Sequence, residues 1–339
     1  MAASWTASAL PVIGAPMAGG ATTPALVSAV SAAGGFGFLA GGYKTPEALG
    51  AEMASVEVPF GVNLFVPGRS GLTEAEFRRY AEELAPEGAA YGLDLAAEPM
   101  VADDDDHWAA KIALLVERPV EYVSFTFGLP GAEVVAALAG VGTQVLATVT
   151  SVDEARAAVE LGVHGLIAQG TEAGGHSGTH TPEKPAVVSL RALVEQVVAE
   201  TTLPVIAAGG ISKSAQVRDV LNLGAAAVAV GTVLLRTDES GASAVHKNAL
   251  AAAGADQTVI TRAFTGRPAR GIRNGFIERH EAGAPLGYPE IHHLTRPLRA
   301  AAAAAGEPDQ VHLWAGTGYA DARTGPAADV ITALAEENA

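Results

Sequence analysis

Between residues 11 and about 232 the chain alternates short, continuously apolar runs with longer stretches of helical periodicity. The apolar runs are Pro11–Met17, Phe36–Gly41, Pro59–Phe65, Tyr122–Phe127, Thr143–Val149, Gly165–Gln169, Leu203–Ala208 and Ala226–Thr232. They do not alternate polar with apolar positions, which is the signature of strands buried on both faces of a parallel sheet. Helical patterns lie between them. One is Val152–Leu161, opened by Ser151 with Glu154 three residues on, the spacing of a capping box. Another is Ser214–Leu223, closed by Gly224. Eight β-then-α repeats predict an α/β fold, a (β/α)8 TIM barrel, rather than an open doubly wound sheet.

Two stretches exceed one strand plus one helix. Residues 66–121 carry two helix patterns and the run Asp103-Asp104-Asp105-Asp106, which reads as a solvated loop or helix start. Residues 255–312 are rich in Arg, Pro, His and Gly and read as a small inserted cap. The predicted organisation is a barrel from residues 1–254 and 313–339 with a cap or substrate domain at 255–312. The chain returns through Val311–Gly318, and Ala327–Glu336 supplies the last barrel helix; Ala300–Ala305 reads as helix.

Composition narrows the partners. The 21 Lys+Arg against 37 Asp+Glu give a formal charge of −16, which argues against nucleic acid. With 49% hydrophobic and 17% charged residues the chain can bury a sizeable core. The absence of cysteine excludes disulfides, thiolate metal sites and a Cys nucleophile. No stretch approaches the ~20 apolar residues that span a bilayer. Met1–Trp5 lacks the features of a signal peptide, so a cytoplasmic location is expected; a homo-oligomer stays open.

In a barrel the chemistry sits where strands end. The seventh predicted strand runs into Gly209-Gly210 and the eighth into Val230-Gly231-Thr232. Glycines there let backbone N–H groups close on an anion, the usual phosphate position of such barrels. The sixth runs into Gln169, then Gly174-Gly175-His176. Gln169 offers a donor and an acceptor, as the pyrimidine edge or ribityl chain of a flavin requires. Gly174 and Gly175 let backbone approach a flat ring, and His176, with an unperturbed pKa near ~6.5, suits proton transfer. Ala15-Pro16-Met17 would form a backbone shelf under the ring, and Asn63 is a polar residue in an apolar strand end.

With these residues in place the chain resembles the nitronate monooxygenase family, formerly called 2-nitropropane dioxygenases. The likeness runs from Pro11–Met17 through Phe264-Thr265-Gly266-Arg267 to Leu313-Trp314-Ala315-Gly316, and is most specific at Gln169…Glu172-Ala173-Gly174-Gly175-His176. The resemblance implies an FMN-dependent barrel that oxidises alkyl nitronates, or nitroalkanes, with O2 to a carbonyl compound and nitrite. It implies that Asn63, Gln169, Gly174, Gly210, Gly231 and Thr232 contact FMN and that His176 is the catalytic base. One departure is Ala229, where the family often carries Gln. Rival readings on the same barrel are a flavin-dependent enoyl-acyl-carrier-protein reductase, an NADH:quinone reductase and a flavin- or phosphate-binding barrel without turnover. Arg262, Arg267, Arg270, Arg273 and Arg279, with Arg296 and Arg299, read as ion pairing within the cap. His292-His293 are adjacent, point different ways and lack metal-ligand spacing, so no metal is expected. Tyr288, Trp314 and Tyr319 are candidate pocket walls.

Overall fold

The computed structural model describes residues 7–101, 103–254 and 256–336; the expectation for Met1–Trp5 and the domain boundary at 255 lie outside them. Its strands are β1 (Val12–Gly14), β2 (Phe36–Ala40), β3 (Phe60–Phe65), β4 (Tyr122–Thr126), β5 (Gln144–Val149), β6 (Gly165–Gln169), β7 (Gly175–His176), β8 (Val205–Ala208), β9 (Ala227–Val230), β10 (Thr258–Thr261) and β11 (Ala269–Ile272). The eight expected runs close into a parallel barrel in the order β1-β2-β3-β4-β5-β6-β8-β9, with β9 returning to β1. The strand β6 matches its apolar run, and the other seven are shorter than theirs. Pro11 and Pro59 cannot donate to a ladder, and past Ala15, whose N–H donates to Val230 O (2.9 Å), Pro16 turns the chain away.

Around the barrel, helices begin where the sequence supplies caps. Thr23 and Thr45 accept from the N3 amides of Pro24–Ala32 and Pro46–Ala54, each with Pro at the first helical turn. Ser151 accepts from Glu154 N as expected, but the Glu154 carboxylate does not complete the capping box. It accepts instead from Thr150 N (2.6 Å), Thr179 Oγ1 (3.0 Å) and His180 N (2.7 Å), tying the end of β5 to the loop after β7. Gly162 (φ 87°) and Gly224 (φ 101°) take left-handed geometry after their helices. The helix Ala327–Ala335 packs against Pro24–Ala32 and Ser214–Asn222, closing the outer ring.

Ile13, Phe36, Phe38, Leu146, Ile206 and Ala227 plug the barrel interior. A second apolar cluster joins Phe77, Tyr80 and Leu84 of the helix Glu74–Ala89 to Phe264, Phe276, Ile291, Leu294 and Leu298. Tyr80 also donates to Ala263 O (2.7 Å). Thus the segment 256–312 does not pack alone. It shares a core with the first of the two irregular stretches. The sheet β10-β11-β7 ties it to the barrel, because Ala269 and Arg270 pair antiparallel with His176 and Gly175.

The acidic run stands just before the helix Trp108–Glu117, as its reading as a helix start expects, but it is not simply solvated. Asp106 pairs with the fully buried Lys111 (2.8 Å) and accepts from Tyr43 N (3.0 Å), while Asp104 bonds His293 Nε2 (2.7 Å). Asp103 and Asp105 are exposed, as expected. No helix among the described residues is long and apolar enough to cross a membrane.

Candidate active site

A cavity of about 620 Å³ opens at the C-terminal ends of the barrel strands. Ala15, Pro16 and Met17 form one wall, Asn63 and Gln169 the floor, Gly174, Gly175 and His176 one side, and Gly209, Gly210, Val230, Gly231 and Thr232 a corner. Every residue expected from the sequence to be catalytic or to bind the cofactor therefore lines this one cavity.

At the corner, Gly209 (φ 125°) and Gly210 (φ 70°) hold the backbone in a region that L side chains avoid. A Cβ on Gly210 would meet Glu172 Cβ and Thr317 Oγ1 at 2.7 Å. The N–H groups of Gly209, Gly210, Gly231 and Thr232 donate to no acceptor among the described residues. Four backbone donors without a partner among the described residues, all on residues that line the cavity at the ends of β8 and β9, make an anion cradle, and this donor set fits a phosphate. Thr232 Oγ1 accepts from Gly316 N (2.9 Å), so the return segment seals the corner.

Gln169 serves the protein as well as the cavity. Its Nε2 donates to His176 O (3.2 Å) and its Oε1 accepts from Gly178 N (2.6 Å), so the amide pins the loop that carries the histidine. Asn63 is 4% exposed, and its Nδ2 donates to Ser124 and to Thr126 Oγ1 (3.0 Å) across the barrel top. That leaves Oδ1 without a protein donor among the described residues.

His176 departs from the simple expectation for a free imidazole. Burial first, and then the charges of Arg267 and Arg299, push its pKa down to about 3. Its Nε2 lies 2.8 Å from Thr265 Oγ1, and that hydroxyl donates to Arg267 O (3.3 Å). The Thr265 contact fixes the direction of the ring, and Nδ1 has no protein partner among the described residues. Phe127, Tyr288 and Trp314 enclose the ring edgewise, with centroids 5.5–5.7 Å away.

Opposite stands a wall the sequence reading only partly anticipated. Tyr43 stacks on His292 (4.2 Å, 5°) and receives a hydrogen bond from Tyr288 (3.0 Å). Burial raises the Tyr43 pKa to about 12, so it stays a phenol. Arg299, 6% exposed, reaches Thr295 Oγ1 (3.1 Å), His292 Nδ1 (3.2 Å) and His312 Nδ1 (3.3 Å). Arg267 lies over Phe127 (4.0 Å from the ring) and donates to the carbonyls of Ser177 and Thr179. The expected ion pairing holds for Arg262 with Glu281 and for Arg279 with Glu87 and Asp309. The exposed Arg273 makes no ion pair among the described residues, and the expectation fails too for Arg267, Arg270, Arg296 and Arg299, which have no carboxylate partner there. These guanidiniums serve backbone carbonyls and the cavity instead. Tyr319 packs away from the cavity, against Leu235 and Ile272, and bonds Gly254 O.

Sequence reasoning missed Tyr43, Phe127, Thr265 and Arg299 as cavity neighbours. Tyr43 (φ 66°) and Phe127 (φ 80°) take left-handed backbone, which no local pattern announces for an aromatic residue. Thr265 was within reach, since it lies in a quoted motif. His292 stacks on Tyr43 while His293 bonds Asp104, so the two adjacent rings serve different partners.

The fold and this site together define a (β/α)8-barrel oxidoreductase. The family model for nitronate monooxygenase matches residues 3–337. A probable nitronate monooxygenase of Staphylococcus aureus (strain Newman) is 36% identical over 332 residues, covering 95% of this chain and 92% of its own. The crystal structure of nitroalkane oxidase from Streptomyces ansochromogenes superposes with a TM-score of 0.91 at 44% identity, covering 97% of this chain and 95% of that one. FabK from Thermotoga maritima is more distant, with a TM-score of 0.73 at 25% identity over 96% of this chain and 91% of that one. The chain belongs to the nitronate monooxygenase family. It is an enzyme that oxidises nitro compounds, in a family that is flavin-dependent in general.

Proposed function

We propose that the enzyme oxidises alkyl nitronates, and more slowly their parent nitroalkanes, with O2 to a carbonyl compound and nitrite, using FMN. The observation that carries this reading is a single cavity holding a four-donor anion cradle, a neutral histidine and a guanidinium without a carboxylate partner. Gly209, Gly210, Val230, Gly231 and Thr232 would hold the FMN phosphate. Ala15, Pro16, Met17, Asn63, Gln169, Gly174 and Gly175 would line its ring. When bound, FMN supplies the acceptor for electrons leaving the nitronate and passes them to O2.

The protein's own groups do the rest. Arg299, whose guanidinium is held by Thr295, His292 and His312, places a fixed positive charge in the cavity wall beside Tyr43, complementary to the negative charge of a nitronate. Nδ1 of His176 accepts the α-proton when the substrate arrives as a neutral nitroalkane. With a conjugate-acid pKa of about 3 it is a weak base, so a substrate already ionised reacts faster. The segment 256–312 and the helix Glu74–Ala89 act together as the cover that keeps water from the cavity.

The test is direct. Purified protein should release FMN on denaturation and consume O2 with ethyl nitronate while forming nitrite. Absence of flavin, or oxidation of NAD(P)H with no nitrite from ethyl nitronate, would reject the proposal.

A further inference from the structure

The helix Glu290–Ala305 crosses the cavity with two adjacent side-chain rows. His292, Thr295, Arg299 and Ala302 form the buried row. Arg296, Ala300 and Ala303, spaced four and three residues apart, form the neighbouring row on the cavity rim. Arg296 is exposed, lines the cavity and makes no ion pair or hydrogen bond among the described residues. It is close enough to Arg299 for its charge to act on that guanidinium. Arg69, Arg79, Arg218, Arg273 and Arg323 are likewise exposed and unpaired among the described residues, but of these six arginines only Arg296 lines the cavity.

From these positions we propose that Arg296 is an entry residue, which draws the anionic form of the substrate to the cavity mouth and hands it to Arg299. The proposal rests on the nitronate reading above. The net charge of the protein repels an anion at long range, but within a Debye length of ~8–10 Å local charges dominate. There the anion meets first an exposed cation and then a buried one on the next row of the same helix. Converging cations in a low-dielectric mouth concentrate an anionic ligand and leave a neutral one unaffected. Arg296 thereby favours nitronate over nitroalkane without touching the reacting atoms.

The experiment compares wild type, Arg296→Gln, Arg296→Lys and, as a control for net charge, Arg191→Gln. Arg191 is an exposed residue paired with Glu195 on an outer helix. The kcat/KM for ethyl nitronate and for nitroethane is measured at low salt and at ~0.5 M NaCl, where the Debye length falls to a few ångströms. Nitrite binding, followed by quenching of tryptophan fluorescence, reads the same cation without turnover. Arg296→Gln should lower nitronate kcat/KM and nitrite affinity about three- to tenfold at low salt, with kcat and nitroethane kcat/KM unchanged. Both losses should vanish at high salt, and Arg296→Lys should keep most of the wild-type value. Equal losses on both substrates, losses that persist in high salt, or the same loss in Arg191→Gln would overturn the proposal. A wild type that binds nitrite in an Arg296-dependent way but does not oxidise nitronate would instead sink the nitronate reading and leave the anion mouth standing.

Discussion

The His176 ring, whose pKa of about 3 makes it a weak base, is held in a fixed direction: Thr265 Oγ1 holds Nε2, and Gln169 clamps the backbone at His176 O and Gly178 N. A role in removing the α-proton makes its loss selective. His176→Asn is expected to lower nitroethane turnover by about 100-fold, the low end for a general base, and to change ethyl nitronate turnover only a few-fold. Stopped-flow rates on the two substrates decide this, and equal losses on both would remove the base assignment. Because the ring titrates near pH 3, the nitronate rate should show no step from His176 between pH 5 and 8. Much of this centre could be read from the chain. Gly174-Gly175-His176 announces itself because glycines and a titratable group share one strand end. The depressed pKa could not be read, since it comes first from burial under distant segments and then from the charges of Arg267 and Arg299, some 90 and 120 residues later in the chain.

Single elements bring these residues together. The corner after β8 needs left-handed backbone at Gly210, so Gly210→Ala adds a strained φ and a Cβ 2.7 Å from two neighbours. The expected outcome is at least a tenfold weaker hold on FMN in equilibrium dialysis, with the barrel still folded by circular dichroism. Wild-type FMN affinity would contradict the cradle. The loop at Asp103–Asp106 makes a second case. Lys111 is 1% exposed and its partner Asp106 also holds Tyr43 N, so Lys111→Met leaves a carboxylate half-buried and unpaired. Destabilisation of about 2–3 kcal/mol follows, below the full value for a buried pair because Asp106 keeps some solvent. Urea unfolding measures it, and a change under ~0.5 kcal/mol would show the pair to be idle. Here the sequence misleads for a physical reason. Four consecutive aspartates look like a solvated run, because their partners Lys111, Tyr43 and His293 are supplied by tertiary packing.

Over the whole molecule, the barrel was legible because eight apolar runs, each buried on both faces, leave no period-two alternation. The shared core of Glu74–Ala89 with the segment 256–312 was not, since two insertions some 170 residues apart give no local sign that they pack together. The histidines clustered at the cavity have a further consequence. His176 and His246 have pKa values of about 3 and about 4, and His292 and His312 lie well below their ordinary range, burial being the first cause in each. The unfolded chain binds protons from pH ~6.5 downward while the native state refuses them. This stability is therefore complete above pH ~6.5 and is lost as pH falls through the folded values. Each such histidine contributes a slope of up to ~1.4 kcal/mol per pH unit. Thermal unfolding should show Tm falling steeply from pH 6.5 to 5, above the range where carboxylates titrate, and His312→Asn should flatten that fall. A Tm independent of pH there would show that the histidines are charged or exposed. Under the function proposed above, a nitronate, and not a reduced dinucleotide, delivers electrons to the flavin in this cavity. Anaerobic mixing of FMN-loaded protein with ethyl nitronate, or separately with NADH or NADPH, tests it through flavin absorbance. Loss of the oxidised flavin band with nitronate alone is the predicted result. Rapid bleaching by NADH or NADPH, with none by nitronate, would contradict the account.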